Sequence, residues 1–460
     1  MHIKKYDVDY GRRALMQKAA VGAAAGVLMP LWPLIGKTAD VTKAYPEELL
    51  HIEAYTKGKI KPGDVVTADN VDVVKDLLDP VAYMQVKTMG RRIHIVASTT
   101  DVTKLYSHDY LEATLRNKGR AIIGPDGNIY DKTAGTPWIG GNPFPEVKDG
   151  IEATANLTLS WGRHDFSQYA VRDWDISPAG DIVYNYDFVW TELNTNARID
   201  GKTWNDKKDL LRYQSVFFTS PQDSAGTAFL NTWDYDQRKF PGLKGYLPAF
   251  RRVREFPTNQ RFEPLVPGIQ LFLSDAWAAG DPMLTWGNYK IVDRKPMLAS
   301  IGGRNFMGGY NDNWERPVHG GPKGLSFHDT YMELVPETIV VDAEPTGYPR
   351  APVSKKRTWI DVRNGMYIAY NTYDRRGEIW KTFEPEYSLY SNDKATVNDA
   401  NGHPIWSWVG VIAHDIQTNR ISRFVQAKEV KGGYKSNWNE TADAYNKFLT
   451  VQAMQRLGTG

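Results

Sequence analysis

The chain of 460 residues contains no cysteine. It can therefore form no disulfide and no thiolate metal site, and it cannot receive the diacylglycerol that bacterial lipoproteins carry on a cysteine at the cleavage point. Catalytic signatures are missing as well. There is no Gly-x-Ser-x-Gly elbow, no His-Glu-x-x-His, no phosphate-cradling Gly-x-x-x-x-Gly-Lys and no dinucleotide fingerprint, so neither a catalytic residue nor a cofactor is expected. Neither charge is in excess: 56 Lys and Arg face 54 Asp and Glu, which leaves no electrostatic footprint for nucleic acid. Internal repeats, low-complexity tracts and linkers rich in Pro, Gly and Ser are also absent. With 42% hydrophobic and 24% charged residues, the composition excludes both a disordered tail and a polytopic membrane protein.

What is present starts at the N-terminus. Gly11, Arg12, Arg13, Ala14, Leu15 and Met16 stand before an apolar stretch from Ala19 to Ile35. A paired arginine, one free position and two apolar residues form the pattern read by the twin-arginine route, which exports folded proteins across the bacterial inner membrane. A membrane anchor is the competing reading, but the run is short for a span and is broken by Pro30 and Pro33. Ala39 offers a cleavage site, yet Lys37 sits where a small residue is wanted, so an uncleaved segment retained at the inner membrane stays open. Residues 1–39 carry six Lys or Arg and two Asp or Glu, and without them the formal charge moves from +2 to −2. The expected compartment is the periplasm.

The expected organisation is a signal segment at 1–39, a helical and loop-like approach at 40–90, and a single mainly-β domain at 91–460. In the approach, Asp69 and Asn70 precede Val71, Val74, Leu77 and Leu78 at helical spacing. Beyond it, β-branched and aromatic runs bounded by Gly, Pro, Asp or Asn predict strands at 92–99, 120–124, 181–190, 213–219 and 288–295, with a turn at Pro125-Asp126-Gly127. Aromatic residues make up 12% of the chain, enough for sheet faces or the lining of an apolar cavity.

The clearest local pattern lies at 357–388. Asn364-Gly365 and Asp374-Arg375-Arg376-Gly377 separate three alternating runs and predict a three-stranded meander, the first turn suiting type I′. Trp359, Tyr367, Ala369 and Ile379 alternate with polar positions, as a sheet with one buried face requires. Strands at 405–414 and 420–426 follow, then a helix from about 440 to 456 with Tyr445, Phe448, Leu449 and Met454 on one side. Many antiparallel strands and few helices favour one large curved, partly open β-barrel. The glycine-rich loops 302–310 and 319–324 are expected to be mobile covers over one end.

Side-chain chemistry offers few clusters. His319 with His328, next to Asp329, is a candidate metal pair, weighed against ordinary satisfied histidines. Asp312 with Glu315 is a candidate acid and base, weighed against a solvated loop. Arg252 and Arg254 would project together from a strand and can clamp a carboxylate or phosphate, or simply form a solvated face beside Glu255.

Four segments carry a more specific pattern: Gly140-Gly141-Asn142-Pro143-Phe144-Pro145 leading through Gly150-Ile151-Glu152-Ala153 to Asn156; Gly245-Tyr246-Leu247-Pro248-Ala249-Phe250-Arg251-Arg252-Val253-Arg254; Trp286-Gly287-Asn288-Tyr289-Lys290; and the meander with Arg357-Thr358-Trp359-Ile360-Asp361 and Tyr373-Asp374-Arg375-Arg376-Gly377-Glu378-Ile379-Trp380-Lys381. In this order they resemble the exported bacterial family catalogued as domain of unknown function 1329, whose members look like enlarged relatives of the periplasmic lipoprotein carriers. The likeness runs from about residue 140 to 384 and continues weakly to the C-terminus. The Pro-x-Gly-Ala-Glu and Trp-x-Gly-Gly passage that usually opens the family's mature part is missing from 40–90.

The resemblance implies a half-open antiparallel barrel with an apolar concave face that holds a lipid-like molecule. Burying roughly 300 Å² of apolar ligand surface would contribute on the order of 7 kcal/mol before ordering costs. It also implies partnership with a membrane exporter of the resistance-nodulation-division type and an outer-membrane protein. The expected function is a periplasmic shuttle for a hydrophobic or amphipathic molecule, with Trp138, Phe144, Arg252, Arg254, Trp286, Tyr289, Trp359 and Trp380 as ligand-binding candidates. An exported enzyme acting on a lipid or glycan, and a structural partner of an envelope complex, are the alternatives.

Overall fold

The computed structural model describes residues 49–160, 162–275 and 280–459; the paired arginines and the apolar stretch after them lie outside the described residues. No described helix is long and apolar enough to cross a membrane. The first elements are α1 (Ile52–Thr56), β1 (Val65–Val66), α2 (Pro80–Met89) and β2 (Ile93–Ile95), then α3 (His108–Asn117), the hairpin β3 (Ala121–Ile123) and β4 (Ile129–Asp131), and α4 (Gly150–Thr158). Long strands follow: β5 (Phe166–Ile176), β6 (Ile182–Asn194), β7 (Leu210–Ser220), β8 (Ala228–Asp234), β9 (Gly242–Leu247), β10 (Arg252–Glu255) and β11 (Gly287–Ala299). After the short hairpin β12 (Val318–Gly320) and β13 (Phe327–His328) come β14 (Thr330–Glu344), β15 (Val353–Asp361), β16 (Tyr367–Asp374), β17 (Ile379–Leu389), β18 (Trp406–Asp415) and β19 (Arg420–Ala427). The chain finishes with β20 (Glu429–Val430), β21 (Tyr434–Lys435), α5 (Ala444–Phe448) and α6 (Val451–Thr459).

Fifteen strands join in one curved, partly open sheet in the order β1-β2-β14-β15-β16-β17-β18-β19-β5-β6-β7-β8-β9-β10, with β11 also on β14. All ladders are antiparallel except β2 on β14. No described ladder joins β10 to β1 or β11, so the barrel stays open.

Cross-strand registers separate the two faces. Tyr169, Trp190, Val216, Phe229 and Gly245 form one row, which ends at Arg254. One residue along, Ala170, Val189, Phe217, Ala228 and Tyr246 form a row on the opposite face, where Met454 of α6 packs with them. Period-two alternation thus gives each strand an inner and an outer apolar set. The expectation of one buried face is corrected, since β16, β17 and β18 are almost wholly buried on both. Residues 49–96 and the β12–β13 hairpin cover the outer side: Gln85 meets His414, Arg91 pairs with Glu384, and Phe327 packs on Ile176, Ile412 and Ile421.

Local readings hold in part. Val71, Val74, Leu77 and Leu78 are all buried, but on two 3₁₀ turns rather than one helix. The meander is present as β15, β16 and β17. Its first turn is not type I′, because only Gly365 has positive φ; the Asn364 side chain instead accepts from the Met366 N–H and donates to Leu105 O. The C-terminal helix is broken at Leu449. The segments expected to be mobile covers are tied in: Phe306 is buried against Trp314 and Tyr390, and the β12–β13 hairpin is pinned by the Arg92 N–H to His319 Nε2 bond.

Candidate functional site

The inner face encloses an apolar cavity of about 50 Å³. β5 supplies Tyr169 and Val171, β6 Phe188 and Trp190, β19 Phe424, β18 Trp408 and Val411, β17 Phe383 and β16 Tyr367. Leu271 closes it from the opposite side. The strands reach this arrangement by alternation, with two exceptions, the first in β18, where the extra residue Val409 puts Trp408 and Val411 on the same inner side. β16 carries an extra residue, Ile368, between the pairs Ile360–Tyr367 and Trp359–Ala369, and this bulge turns Tyr367 and Tyr370 to the same inner side.

Leu271 belongs to a plug. After a 3₁₀ turn at Thr258–Phe262, the chain runs to residue 275 without regular structure, held to itself by a bridge between Pro264 and Phe272. Ile269 and Leu273 are buried within the main core cluster, with Leu265, Val266 and Leu271 beside them. Five inner-face side chains fasten the plug. Tyr186 donates to Pro267 O (2.8 Å), Tyr370 to Asp275 O (2.7 Å) and the Lys356 ammonium to Ser274 O (2.8 Å). Lys381 pairs with Asp275, and Ser422 Oγ accepts the Gln270 N–H (2.8 Å) while donating to Asp175. Burial pulls the Lys356 and Lys381 ammonium groups below the ordinary lysine range, against the pull of Asp275. Burial likewise pushes the Asp173 and Asp175 carboxyls up; the charge of Asp175 raises Asp173 further, while hydrogen bonds from Ser422 and Asp173 pull Asp175 back down.

The eight residues singled out in the sequence fall in different places. Trp286 and Tyr289 line a second, smaller cavity of about 30 Å³ together with Asp281 and Lys356. Trp286 Nε1 donates to Asp281 Oδ2 and Tyr289 OH to Met283 O. Trp138 is 1% exposed, with Nε1 bonded to Gly141 O, and Trp359 is buried beside Val340 and Ala369. The backbone of Phe144 is bracketed by the Asn156 amide. Trp380 is half-buried against Phe272 of the plug, with Nε1 on Asp415. Arg252 and Arg254 are exposed on the edge strand β10, with the Arg254 guanidinium 4.2 Å from the Phe250 ring centroid. Phe256 lies over Gly245, whose missing side chain makes room for it, and so caps the row between the cavity and Arg254.

None of the eight lines the larger cavity. Nine of its ten residues come from six strands that the sheet order brings together, and the local signals were the alternation in the meander at Tyr367 and in Tyr169–Val171 and Phe188–Trp190.

The other candidate pairs separate. His319 meets Asp329 (3.4 Å) together with His94 (2.5 Å), not His328. Because His319 Nε2 accepts the Arg92 N–H, the ring proton is on Nδ1, on the side of the Asp329 carboxylate. His328 is buried elsewhere, near Arg423 and Arg316, where burial holds it far below the ordinary histidine range. Asp312 and Glu315 are exposed, and Glu315 pairs with Arg172.

No curated protein matches the chain. Among solved structures, a DUF1329 family protein from Desulfovibrio piger is 13% identical, with 67% of this chain and 100% of that chain covered and a TM-score of 0.42. A LolA superfamily protein from Nitrosomonas europaea is 12% identical, with 66% and 100% covered and a TM-score of 0.38. Residues 65–455 match the family described as "Protein of unknown function (DUF1329)", and the chain belongs to it.

Proposed function

We propose that this protein is a periplasmic shuttle for a hydrophobic or amphipathic, lipid-like molecule, exported by the twin-arginine route and working between a resistance-nodulation-division type exporter and an outer-membrane protein. The observation that carries the proposal is the aromatic cavity closed by an irregular aliphatic plug. A pocket for a lipid-sized ligand needs roughly 300 Å³ or more, so the 50 Å³ present is the seed of a site and not the site itself. Cargo takes the place of the plug: five aliphatic side chains, Leu265, Val266, Ile269, Leu271 and Leu273, leave the aromatic face, and an acyl or polycyclic body takes over their contacts. Because one apolar surface replaces another, the exchange costs chiefly the plug's polar fastenings. In this reading Arg254, at the end of the inner row, and Arg252 beside it on the open edge meet an anionic head group.

The test is native mass spectrometry of protein isolated from its own periplasm, and of purified protein incubated with phosphatidylglycerol and phosphatidylethanolamine vesicles. A bound lipid mass is the expected result. An apo mass from both sources overturns the shuttle reading. A lipid altered on incubation by wild type but not by Asp173→Asn would favour the enzyme reading, whose acid pair would be Asp173 and Asp175.

A further inference from the structure

A second cluster lies away from the trough. α3 begins at His108 and is pinned by Tyr110 and Leu111, which are 0% and 1% exposed. Facing its first turn is the loop 398–404, closed by a bridge between Asn398 and Pro404. Within the loop, Asp399 Oδ1 accepts the backbone N–H of both Asn401 and His403 (2.9 Å each), which sets the position of His403. The His403 ring is thereby laid on the His108 ring, with centroids 3.6 Å apart and planes 31° apart.

Both imidazoles turn Nδ1 toward one oxygen, Asp109 Oδ1, at 3.0 Å from His403 and 3.3 Å from His108. The other oxygen, Oδ2, accepts Asn401 Nδ2 (2.5 Å), which holds the carboxylate plane. Glu112 Oε1 lies 3.9 Å from His108 Nε2, and Asp399 Oδ2 lies 3.9 Å from His403 Nδ1. Among the described residues no Lys or Arg forms an ion pair with Asp109, Glu112 or Asp399.

Three features converge. The stacking fixes both rings with their Nδ1 atoms on one side, so two imidazole nitrogens, a common ligand for transition metals, converge on the Asp109 carboxylate. Two Nδ1 atoms and a carboxylate oxygen at 3.0 and 3.3 Å come close to the edges of a tetrahedron with bonds of about 2.0–2.2 Å. Three carboxylates with no Lys or Arg partner among the described residues make a local negative charge that a dication relieves. Nitrogen donors select a borderline transition metal over calcium or magnesium.

The geometry points to a divalent transition-metal site of the zinc class formed by His108, Asp109 and His403, with a fourth position open and Asp399 and Asn401 as orienting partners. It joins α3 to the loop 398–404 and is independent of the shuttle reading.

The experiment is isothermal titration of the chelator-treated full chain with Zn²⁺, backed by the visible absorption of Co²⁺ as a reporter of tetrahedral ligation and by the shift in melting temperature with metal. One equivalent of Zn²⁺ is expected to bind, with His403→Ala and His108→Ala each weakening it by at least about tenfold and abolishing the cobalt colour. His94→Ala, in the other histidine–aspartate cluster, should leave the affinity unchanged. Both ligand histidines are part-exposed, at 41% and 35%, so neither substitution disturbs the core, and circular dichroism confirms the fold. No saturable binding by wild type, or equal affinity in the His108→Ala/His403→Ala double variant, overturns the site.

Discussion

Asp175 ties the plug to a carboxyl whose pKa burial raises. Its carboxyl accepts from Ser422, whose Oγ receives the Gln270 N–H of the plug, while Asp173 faces the same way two residues earlier. Burial raises both carboxyls, so the folded chain holds protons that an unfolded Asp releases near pH 4. Above that pH the native state binds more protons than the unfolded one. Stability contributed here is therefore full below about pH 4 and is lost as pH rises through the raised pKa. Asp175→Asn keeps an oxygen for Ser422 and removes the ionisation. Its melting temperature relative to wild type should climb between about pH 4 and about pH 7 and level off above that. A difference constant with pH would show that the carboxyl titrates in its ordinary range.

At the scale of elements, the outer cover is held by Arg91, just past α2, which makes a two-pronged pair with Glu384 of β17 and also donates to Gln85 Oε1 (2.7 Å). Both charges are buried, at 0% and 8% side-chain exposure. Removing one partner of such a pair strands the other, so Arg91→Met should lower unfolding free energy by about 3–5 kcal/mol, whereas Arg91→Met with Glu384→Leu should recover most of the loss. Urea unfolding of the three chains decides it, and a single-variant loss below about 1 kcal/mol would mean the cover is held by its apolar contacts alone. The meander was legible in advance because its breaks are local: Gly377 at positive φ follows a turn closed by its own N–H to Asp374 O, a three-residue hairpin connection any reader of Asp-Arg-Arg-Gly can expect. The broken C-terminal helix was not, since no Pro or Gly marks it. Leu449 packs with Phe166, Leu193 and Tyr213 while Met454 packs with Phe217 and Tyr246, and serving two separate clusters bends the chain between them. β5 hid for a similar reason: Arg172, Asp173 and Asp175 make it look solvated, and only the sheet order buries it.

For the molecule as a whole, the decisive question is whether the plug and the cargo exclude each other. The absence of cysteine makes this directly testable, because any pair introduced is the only one in the chain. Gln270 and Ser422 are suited to it, their backbone nitrogen and side-chain oxygen being 2.8 Å apart across the plug and β19. Oxidised Gln270→Cys/Ser422→Cys should melt higher than its reduced form, since the cross-link closes a loop of about 150 residues worth up to about 5 kcal/mol of unfolded-chain entropy. It should also take up no lipid from phosphatidylglycerol vesicles until a reductant is added. If the locked chain loads as fully as wild type, the cargo surface lies elsewhere and the aromatic cavity is core packing. If locked and reduced forms both fail while wild type loads, loss of the Ser422 hydroxyl beside Asp175 is responsible, and Ser422→Ala alone will reproduce the failure. Loading that returns with reduction identifies the segment around Leu271 as the gate of a trough that stays shut, filled by its own chain, until a cargo displaces it.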